Sequence, residues 1–204
     1  MSNVVEVAHP LIKHHMARLR SKSTSPESFR FLVGRLAVLL AYEATKDLTV
    51  SETTVTTPIC DGPGYALDQR IGLVPILRAG LGMVDPVLNL IPEAEVWHLG
   101  LYRDEATAKP VEYYSRIPDQ PMDVGLILDP MLATGGSAKM AIECLKKVPR
   151  LKLLSIIASR EGIDEVNREF PETQIYVCAI DPELNADKYI VPGLGDAGDR
   201  IFNT

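Results

Sequence analysis

Val124-Gly125-Leu126-Ile127-Leu128-Asp129-Pro130-Met131-Leu132-Ala133-Thr134-Gly135-Gly136-Ser137 is the stretch on which the fold turns. Val124–Leu128 is a short apolar run of strand length. It ends in a carboxylate, and after a short loop Thr-Gly-Gly-Ser opens a helix-like stretch over Ala138–Val148. The same alternation continues outward. Downstream, the apolar runs Leu151–Ala158 and Ile175–Ile180 flank a helix-like Gly162–Phe170; upstream, Ile71–Leu77 precedes Arg78-Ala79-Gly80 and a helix-like stretch to about Leu90, and Val96–Tyr102 is a further run. Short buried strands alternating with helices predict βαβ units, hence a three-layer α/β domain with a mostly parallel sheet flanked by helices.

Further upstream, Thr49–Thr57 alternates and is rich in Thr and Val, which predicts an edge strand. Ser25-Pro26-Glu27 is a helix start: Ser as N-cap, Pro at the first helical position, an acid in the first turn. Leu32, Val33, Leu36, Leu39 and Leu40 then recur at helical spacing, predicting a helix to about Thr45 whose stripe serves the core or a subunit interface. The first 25 residues are polar and mixed, with a basic run from Lys13 to Lys22. One domain over 1–204 is expected, with an N-terminal helical segment over 1–48.

Of 204 residues, 46% are hydrophobic and 24% charged, the balance of a globular chain. Lys and Arg number 21 against 27 Asp and Glu, a net charge of -6, which argues against nucleic acid as partner. The longest apolar runs, Leu36–Tyr42 and Val124–Leu128, are far short of the roughly 20 residues that span a bilayer, so no membrane association is expected. No basic and apolar secretory signal stands at the N-terminus. Cys60, Cys144 and Cys178 show no CxxC spacing and are expected as reduced thiols of a cytoplasmic protein, Cys144 and Cys178 buried. His14 and His15 are adjacent and diverge on a helix, and His9 and His98 lack partners at ligand spacing, so no protein metal site is expected. Trp97 is assigned to the core or an interface.

In a sheet of this kind ligands bind beyond the carboxyl ends of the strands. Gly135 and Gly136 let the backbone approach a ligand closely, the helix start adds free N–H donors and a positive dipole end, and Thr134 and Ser137 add hydroxyls. The assembly suits a phosphate monoester, and Asp129 beside it suits the vicinal hydroxyls of a ribose. A β-branched residue at Gly135 is expected to block this cradle. The bland alternative is a helix cap and a tight turn. Arg78 follows a strand and precedes a helix start, where a cation is misplaced unless an anion joins it. Arg103 follows Val96–Tyr102 and leads into a polar stretch, 104–118, with Lys109, Tyr113, Tyr114 and Arg116, expected as a flexible loop or hairpin arm. Tyr189–Asp199 holds Pro192, Gly193, Gly195 and Gly198. Such a loop can offer backbone C=O and N–H in the order that complements a planar base.

Asp129–Ser137 resembles the phosphoribosyl-pyrophosphate loop of the type I phosphoribosyltransferases. From Val5-Glu6-Val7-Ala8-His9-Pro10-Leu11 onward, through Pro75–Met83 and Tyr189–Asp199, the chain resembles the uracil phosphoribosyltransferase family, and the last stretch makes the likeness specific. Type I loops usually begin with two acids. Here the second is Pro130, as in the uracil enzymes. The resemblance implies transfer of 5-phosphoribosyl from phosphoribosyl pyrophosphate to N1 of uracil, giving UMP and pyrophosphate. It implies Arg78, Arg103 and Asp129 as catalytic residues. Arg78, Arg103, Asp129, Pro130, Met131, Leu132, Ala133, Thr134, Gly135, Gly136, Ser137 and Asp196 would contact the sugar diphosphate, and Ile190, Gly195, Asp196 and Ala197 the uracil, from the C-terminal base-binding loop over 187–200. Mg²⁺ would be held mainly through the diphosphate and water. Family members are homo-oligomers, so a homodimer or larger assembly is expected, and GTP is a candidate effector. Two alternatives stay open: a phosphoribosyltransferase for another base, and a non-catalytic regulator that binds nucleotide or the sugar diphosphate.

Overall fold

The computed structural model describes residues 3–103, 110–115 and 122–204. In chain order the elements are β1 (Val4–Glu6), α1 (Pro10–Arg20), α2 (Pro26–Ala44), β2 (Val50–Thr56), β3 (Asp61–Leu67), β4 (Ile71–Pro75), α3 (Leu81–Leu90), β5 (Glu95–Val96), β6 (Leu99–Arg103), β7 (Pro110–Ser115), β8 (Val124–Leu128), β9 (Met131–Leu132), α4 (Gly136–Cys144), β10 (Arg150–Ser159), α5 (Arg160–Glu169), β11 (Gln174–Asp181), β12 (Glu183–Leu184), β13 (Ile190–Val191) and α6 (Ala197–Phe202). The central sheet runs β1-β11-β10-β8-β4-β5, with β9 also on β10, and its pairings are parallel.

Strand alternation sends side chains to two helical layers. Leu73, Leu126, Leu128 and Leu154 meet Ile12, Met16 and Leu19 of α1, the buried stripe of α2, Met83 and Val87 of α3, and Ile201 of α6. Val74, Ile127, Leu153 and Val177 meet Ala138, Ala141 and Ile142 of α4 and Ile163 and Val166 of α5, with Trp97 in the same cluster. This is the expected three-layer α/β arrangement.

Helix α2 starts as its sequence dictates. The Ser25 side chain accepts the Ser28 N–H at 3.3 Å and Pro26 opens the first turn. Leu32, Val33, Leu36 and Leu40 are buried, whereas Leu39 is partly exposed. The mixed N-terminal stretch also has structure. His9 caps α1, its Nδ1 accepting the Leu11 N–H at 3.1 Å. Only three residues of α1 are buried, a stripe too narrow to stand out in sequence. Residues 1–48 are therefore not purely helical, since β1 adds a parallel edge to β11.

Other boundaries shift. The strand expected over Thr49–Thr57 pairs antiparallel with β3 in a separate hairpin, outside the central sheet. Val96–Tyr102 is not one strand: β5 stays in the central sheet, and β6 leaves it to pair with β7. The helix expected over Ala138–Val148 runs Gly136–Cys144. Cys178 is buried and burial pushes its thiol up to about 12, whereas Cys144 is half-exposed, so the buried expectation fails there. Among the described residues no helix is long and apolar enough to cross a membrane.

Lys152 interrupts the apolar face of β10 and is fully buried. Its stem packs in the core, and its ammonium lies 5.7 Å from the Tyr176 ring centroid. The Nζ donates to the Ala44 carbonyl at 2.5 Å and to the Asp47 carboxylate. A cation at the last turn of α2 is favoured by the helix dipole. Lys152→Ala leaves a buried carbonyl unsatisfied and should cost about 1–3 kcal/mol in urea unfolding; unchanged stability would remove this tie from the account of the core.

Candidate active site

Strands β4 and β8 pair in parallel over five residues, from Ile71↔Val124 to Pro75↔Leu128. From β4 the chain passes through α3 to β5 on one side. From β8 it passes through α4 to β10, then through α5 to β11, on the other. The strand order reverses between β4 and β8, so the loops leaving their carboxyl ends diverge and open a crevice. Both the Arg78 turn and the Asp129 loop arise there.

The two loops are joined at their root. The Ile76 N–H donates to the Leu128 carbonyl at 3.0 Å and the Gly80 N–H to the Ile76 carbonyl at 2.9 Å. A Cβ on Gly80 would stand 2.3 Å from the Leu128 oxygen, so no larger residue fits. The Arg78 turn is thereby pressed against the residue preceding Asp129.

Asp129 is half-buried, with the Met131 N–H donating to its Oδ1 at 3.3 Å. Burial raises its carboxyl from 3.8 to about 7, against the smaller opposing pull of that N–H. The residues after it are bound along β10 rather than looped free. Pro130 O accepts the Ile156 and Ile157 N–H groups, each at 3.1 Å, and β9 pairs with Ile157 and Ala158. Ser159 Oγ donates to the Ala133 carbonyl at 2.5 Å and accepts the Gly162 N–H at 2.8 Å, tying the loop to the start of α5.

Gly135 takes φ 81°, in the left-handed region, and caps α4 with no side-chain hydrogen bond. The first-turn N–H groups of α4 thus point outward without a capping side chain. A Cβ on Gly135 would meet the Gly162 carbonyl at 3.1 Å and Glu165 Cβ at 3.3 Å. The expectation that a side chain at Gly135 fills the cradle is therefore corrected: it would strain the backbone and press on α5. At Gly136 a Cβ meets only Thr134 Oγ1, at 3.8 Å, and otherwise open space. Gly136 and Ser137 are exposed and Thr134 half-buried.

Across the crevice, Arg78 Nη2 lies 3.3 Å from Asp199 Oδ1, and its guanidinium carbon 5.9 Å from the Phe202 ring centroid. The stretch 187–200 is not wholly loop. It contains β13 and the start of α6, where Asp196 is the N-cap and accepts the Asp199 N–H at 2.9 Å. Ile190 and Ala197 are buried, and Gly195 lies exposed beside Asp196 with φ 78°.

Residues not singled out from sequence hold this segment. Arg20 grips Asp181 with two hydrogen bonds, 2.7 and 2.6 Å, and donates to the Gly193 carbonyl at 2.8 Å. Asp181, buried at the end of β11, also accepts the Gly193 N–H at 2.9 Å. Arg200 donates to the Leu19, Leu194 and Ser21 carbonyls at 2.7–2.8 Å and stacks 4.2 Å over Phe29. The signal for Asp181 was present: a carboxylate ends its apolar run, as Asp129 ends Val124–Leu128.

The structure brings Arg78, Asp129, the loop to Ser137, and Ile190–Ala197 to the carboxyl edge of the sheet. Arg103 ends β6, in a bulged antiparallel pairing with β7. The role expected of its side chain, and residues 104–109 and 116–118 of the expected arm, lie outside the described residues.

Hypoxanthine phosphoribosyltransferase from Staphylococcus aureus (TM-score 0.50, 14% identity, 75% of each chain) and adenine phosphoribosyltransferase from Rhodothermus marinus (0.50, 16%, 72% of this chain and 78% of that one) share the fold. The architecture is that of the type I phosphoribosyltransferases. A protein from Aquifex aeolicus superposes far more fully, with TM-score 0.91 and 40% identity over 98% of this chain and 97% of that one. The chain belongs to the uracil phosphoribosyltransferase family, whose model matches residues 5–204. Uracil phosphoribosyltransferases of Roseiflexus sp. (strain RS-1) and Clostridium botulinum (strain Hall) are 53% and 50% identical, each over the full length of both chains.

Because the φ of Gly135 costs an L-residue about 1–2 kcal/mol, Gly135→Ala should lower stability by at least that amount, read by urea denaturation. An unchanged midpoint would mean the turn relaxes freely.

Proposed function

We propose that this chain transfers the 5-phosphoribosyl group of phosphoribosyl pyrophosphate to N1 of uracil, releasing UMP and pyrophosphate. One observation carries the reading: at the fork of the sheet, a carboxylate-ended strand and an uncapped, glycine-opened helix start stand opposite an arginine. Ala133–Ser137 hold the 5′-phosphate through N–H and hydroxyl donors, Pro130–Leu132 line the approach, and Asp129 accepts hydrogen bonds from the ribose hydroxyls. Its negative charge stabilises positive charge developing at the anomeric carbon. Arg78 and Arg103 neutralise the departing diphosphate. Ile190, Gly195, Asp196 and Ala197 present backbone groups to the uracil edge, and a base with the reversed donor order leaves buried groups unpaired. Asp196 also reaches the sugar phosphate or its water shell and is the candidate base for N1.

The donor set suits Mg²⁺ carried in by substrate. Asp129 is a single hard carboxylate, and among the described residues no group of three or more His, Cys, Asp or Glu could hold a metal. When bound through diphosphate and water, Mg²⁺ supplies positive charge that offsets the leaving group. Cys60, Cys144 and Cys178 take part in no disulfide, which accords with a cytoplasmic setting. Exposed Phe31 and the exposed Ile59 and Tyr65 of the β2–β3 hairpin region accord with a homo-oligomer, and sizing of the purified protein tests it.

The decisive assay supplies the sugar diphosphate and Mg²⁺ with each of uracil, cytosine, orotate, adenine and hypoxanthine, with and without GTP as effector. UMP from uracil alone supports the reading. Product from another base overturns the uracil assignment, and binding without product favours a regulator.

Asp129→Asn should lower kcat/KM by several orders with the fold intact; near-wild-type turnover would remove Asp129 from the mechanism. Because the ionised carboxylate is required and its pKa is raised to about 7, kcat/KM of the free enzyme should fall about tenfold per unit below pH 7. The linkage to stability has the opposite sense. The fold favours the protonated carboxyl, so its contribution is full below 3.8 and is lost as pH rises towards 7. Asp129→Asn should abolish both dependences, and a wild-type profile flat from pH 8 to 6 would contradict the assignment. Gly136→Val should fold with an unchanged melting temperature yet lose binding of the sugar diphosphate, since its methyls occupy the open space beside Thr134. Retained tight binding would contradict the phosphate cradle.

A further inference from the structure

Asp199 belongs to none of the residue sets assigned above, yet its carboxylate engages the guanidinium assigned to the diphosphate. Its Oδ1 stands 3.3 Å from Arg78 Nη2 and accepts Thr204 Oγ1 at 3.1 Å. Its N–H is bound to the Asp196 carboxylate at the N-cap of α6. Arg78 lies along the same helix, 5.9 Å from the Phe202 ring. A Cβ built on Gly198 would stand 3.2 Å from Asp196 Oδ1 and 3.8 Å from Arg78 Nη2, which places the guanidinium at the head of the base segment.

The contact has the properties of a holding position. It is one long hydrogen bond, not a bidentate fork, and both side chains are more than half exposed, at 61% and 52%. Such a pair is weak and exchanges readily. A diphosphate offers several oxygens and more charge, and pairs with guanidinium in the fork geometry a single carboxylate oxygen does not use. The diphosphate and Asp199 therefore compete for one guanidinium.

We infer that Asp199 is a positioning residue that holds Arg78 at the start of α6 until a diphosphate displaces it, and takes it back as pyrophosphate leaves. The inference rests on the proposed role of Arg78 as a diphosphate ligand. It ties the state of the diphosphate site to the segment that carries Ile190–Ala197, because the arginine leaves or rejoins that segment with each turnover.

The test is calorimetric titration of pyrophosphate with Mg²⁺, at low ionic strength, into wild type, Asp199→Asn, Arg78→Ala and the double variant. Asn keeps a side-chain oxygen to accept from Thr204 Oγ1 and its own backbone N–H to donate to Asp196, so the fold is expected to hold, and a thermal melt checks it. With the competitor removed, Asp199→Asn should bind pyrophosphate about two- to fivefold more tightly, the range expected for loss of an exposed ion pair. KM for the sugar diphosphate should fall by the same factor while KM for uracil holds. In the Arg78→Ala background, Asp199→Asn should change nothing. Unchanged or weaker binding by Asp199→Asn overturns the inference. So does equal tightening in the Arg78→Ala background, which would make the effect one of net charge. If Arg78→Ala alone leaves pyrophosphate affinity intact, the reading of Arg78 fails instead, and the inference goes with it.

Discussion

Five parallel residue pairs between β4 and β8 govern the rest of the molecule. Parallel strands need crossovers, and a right-handed crossover from each strand sends the chain away from its neighbour. That places α3 on one face and α4 and α5 on the other, and leaves the carboxyl ends of β4 and β8 with diverging loops. A crevice at this edge is thus a product of connectivity. The sequence then furnishes it with an arginine on one side and a carboxylate and helix start on the other. The Ile76–Leu128 hydrogen bond and the space at Gly80, too small for a Cβ, keep the two sides at fixed separation.

Within that crevice the fold tolerates an electrostatic cost. Asp129 is held where its ionised form is poorly solvated, so near neutrality its carboxyl stands close to its titration point. A hydroxyl-rich ligand that donates hydrogen bonds to the carboxylate relieves the cost that burial imposes. The site is in this sense incomplete without its ligand, which is common where pKa values are displaced in a cleft. The neighbouring loop carries no such tension: the bonds from Ile156, Ile157 and Ser159 fasten it to β10 before any ligand arrives.

What the sequence disclosed follows from periodicity and punctuation. The runs at 71–77, 124–128, 151–158 and 175–180 announce strands because burial on both faces demands unbroken apolar residues. The Ser25-Pro26 start announces α2, and Asp129 and the Thr-Gly-Gly-Ser turn stand out because polar groups interrupt an apolar pattern. The features that stayed hidden lacked such contrast. β1 is three residues long, β9 two, and α1 buries three side chains, so none yields a period. The β2–β3 hairpin is exposed throughout one strand and nearly so in the other, leaving no buried face to set a pattern. Arg20, Asp181 and Arg200 each have a partner more than 160 residues away, which local spacing does not encode. That Gly135 needs a left-handed backbone angle and a close approach to the Gly162 carbonyl is set by a residue 27 positions away, beyond the reach of local spacing.

The bonds from Arg20 to Asp181 and Gly193, and from Arg200 to Leu19 and Ser21, join positions separated by 161 to 181 residues. Helix α1 can pack on α2 early, but the polar partners of Arg20, Leu19 and Ser21 exist only when almost the whole chain has been made. Ile190, Leu194 and Ala197 are also buried in the main core, so these polar ties add to apolar packing in fixing where the two ends of the chain meet. A change at either end of the chain is therefore felt at the other, through the seam they share.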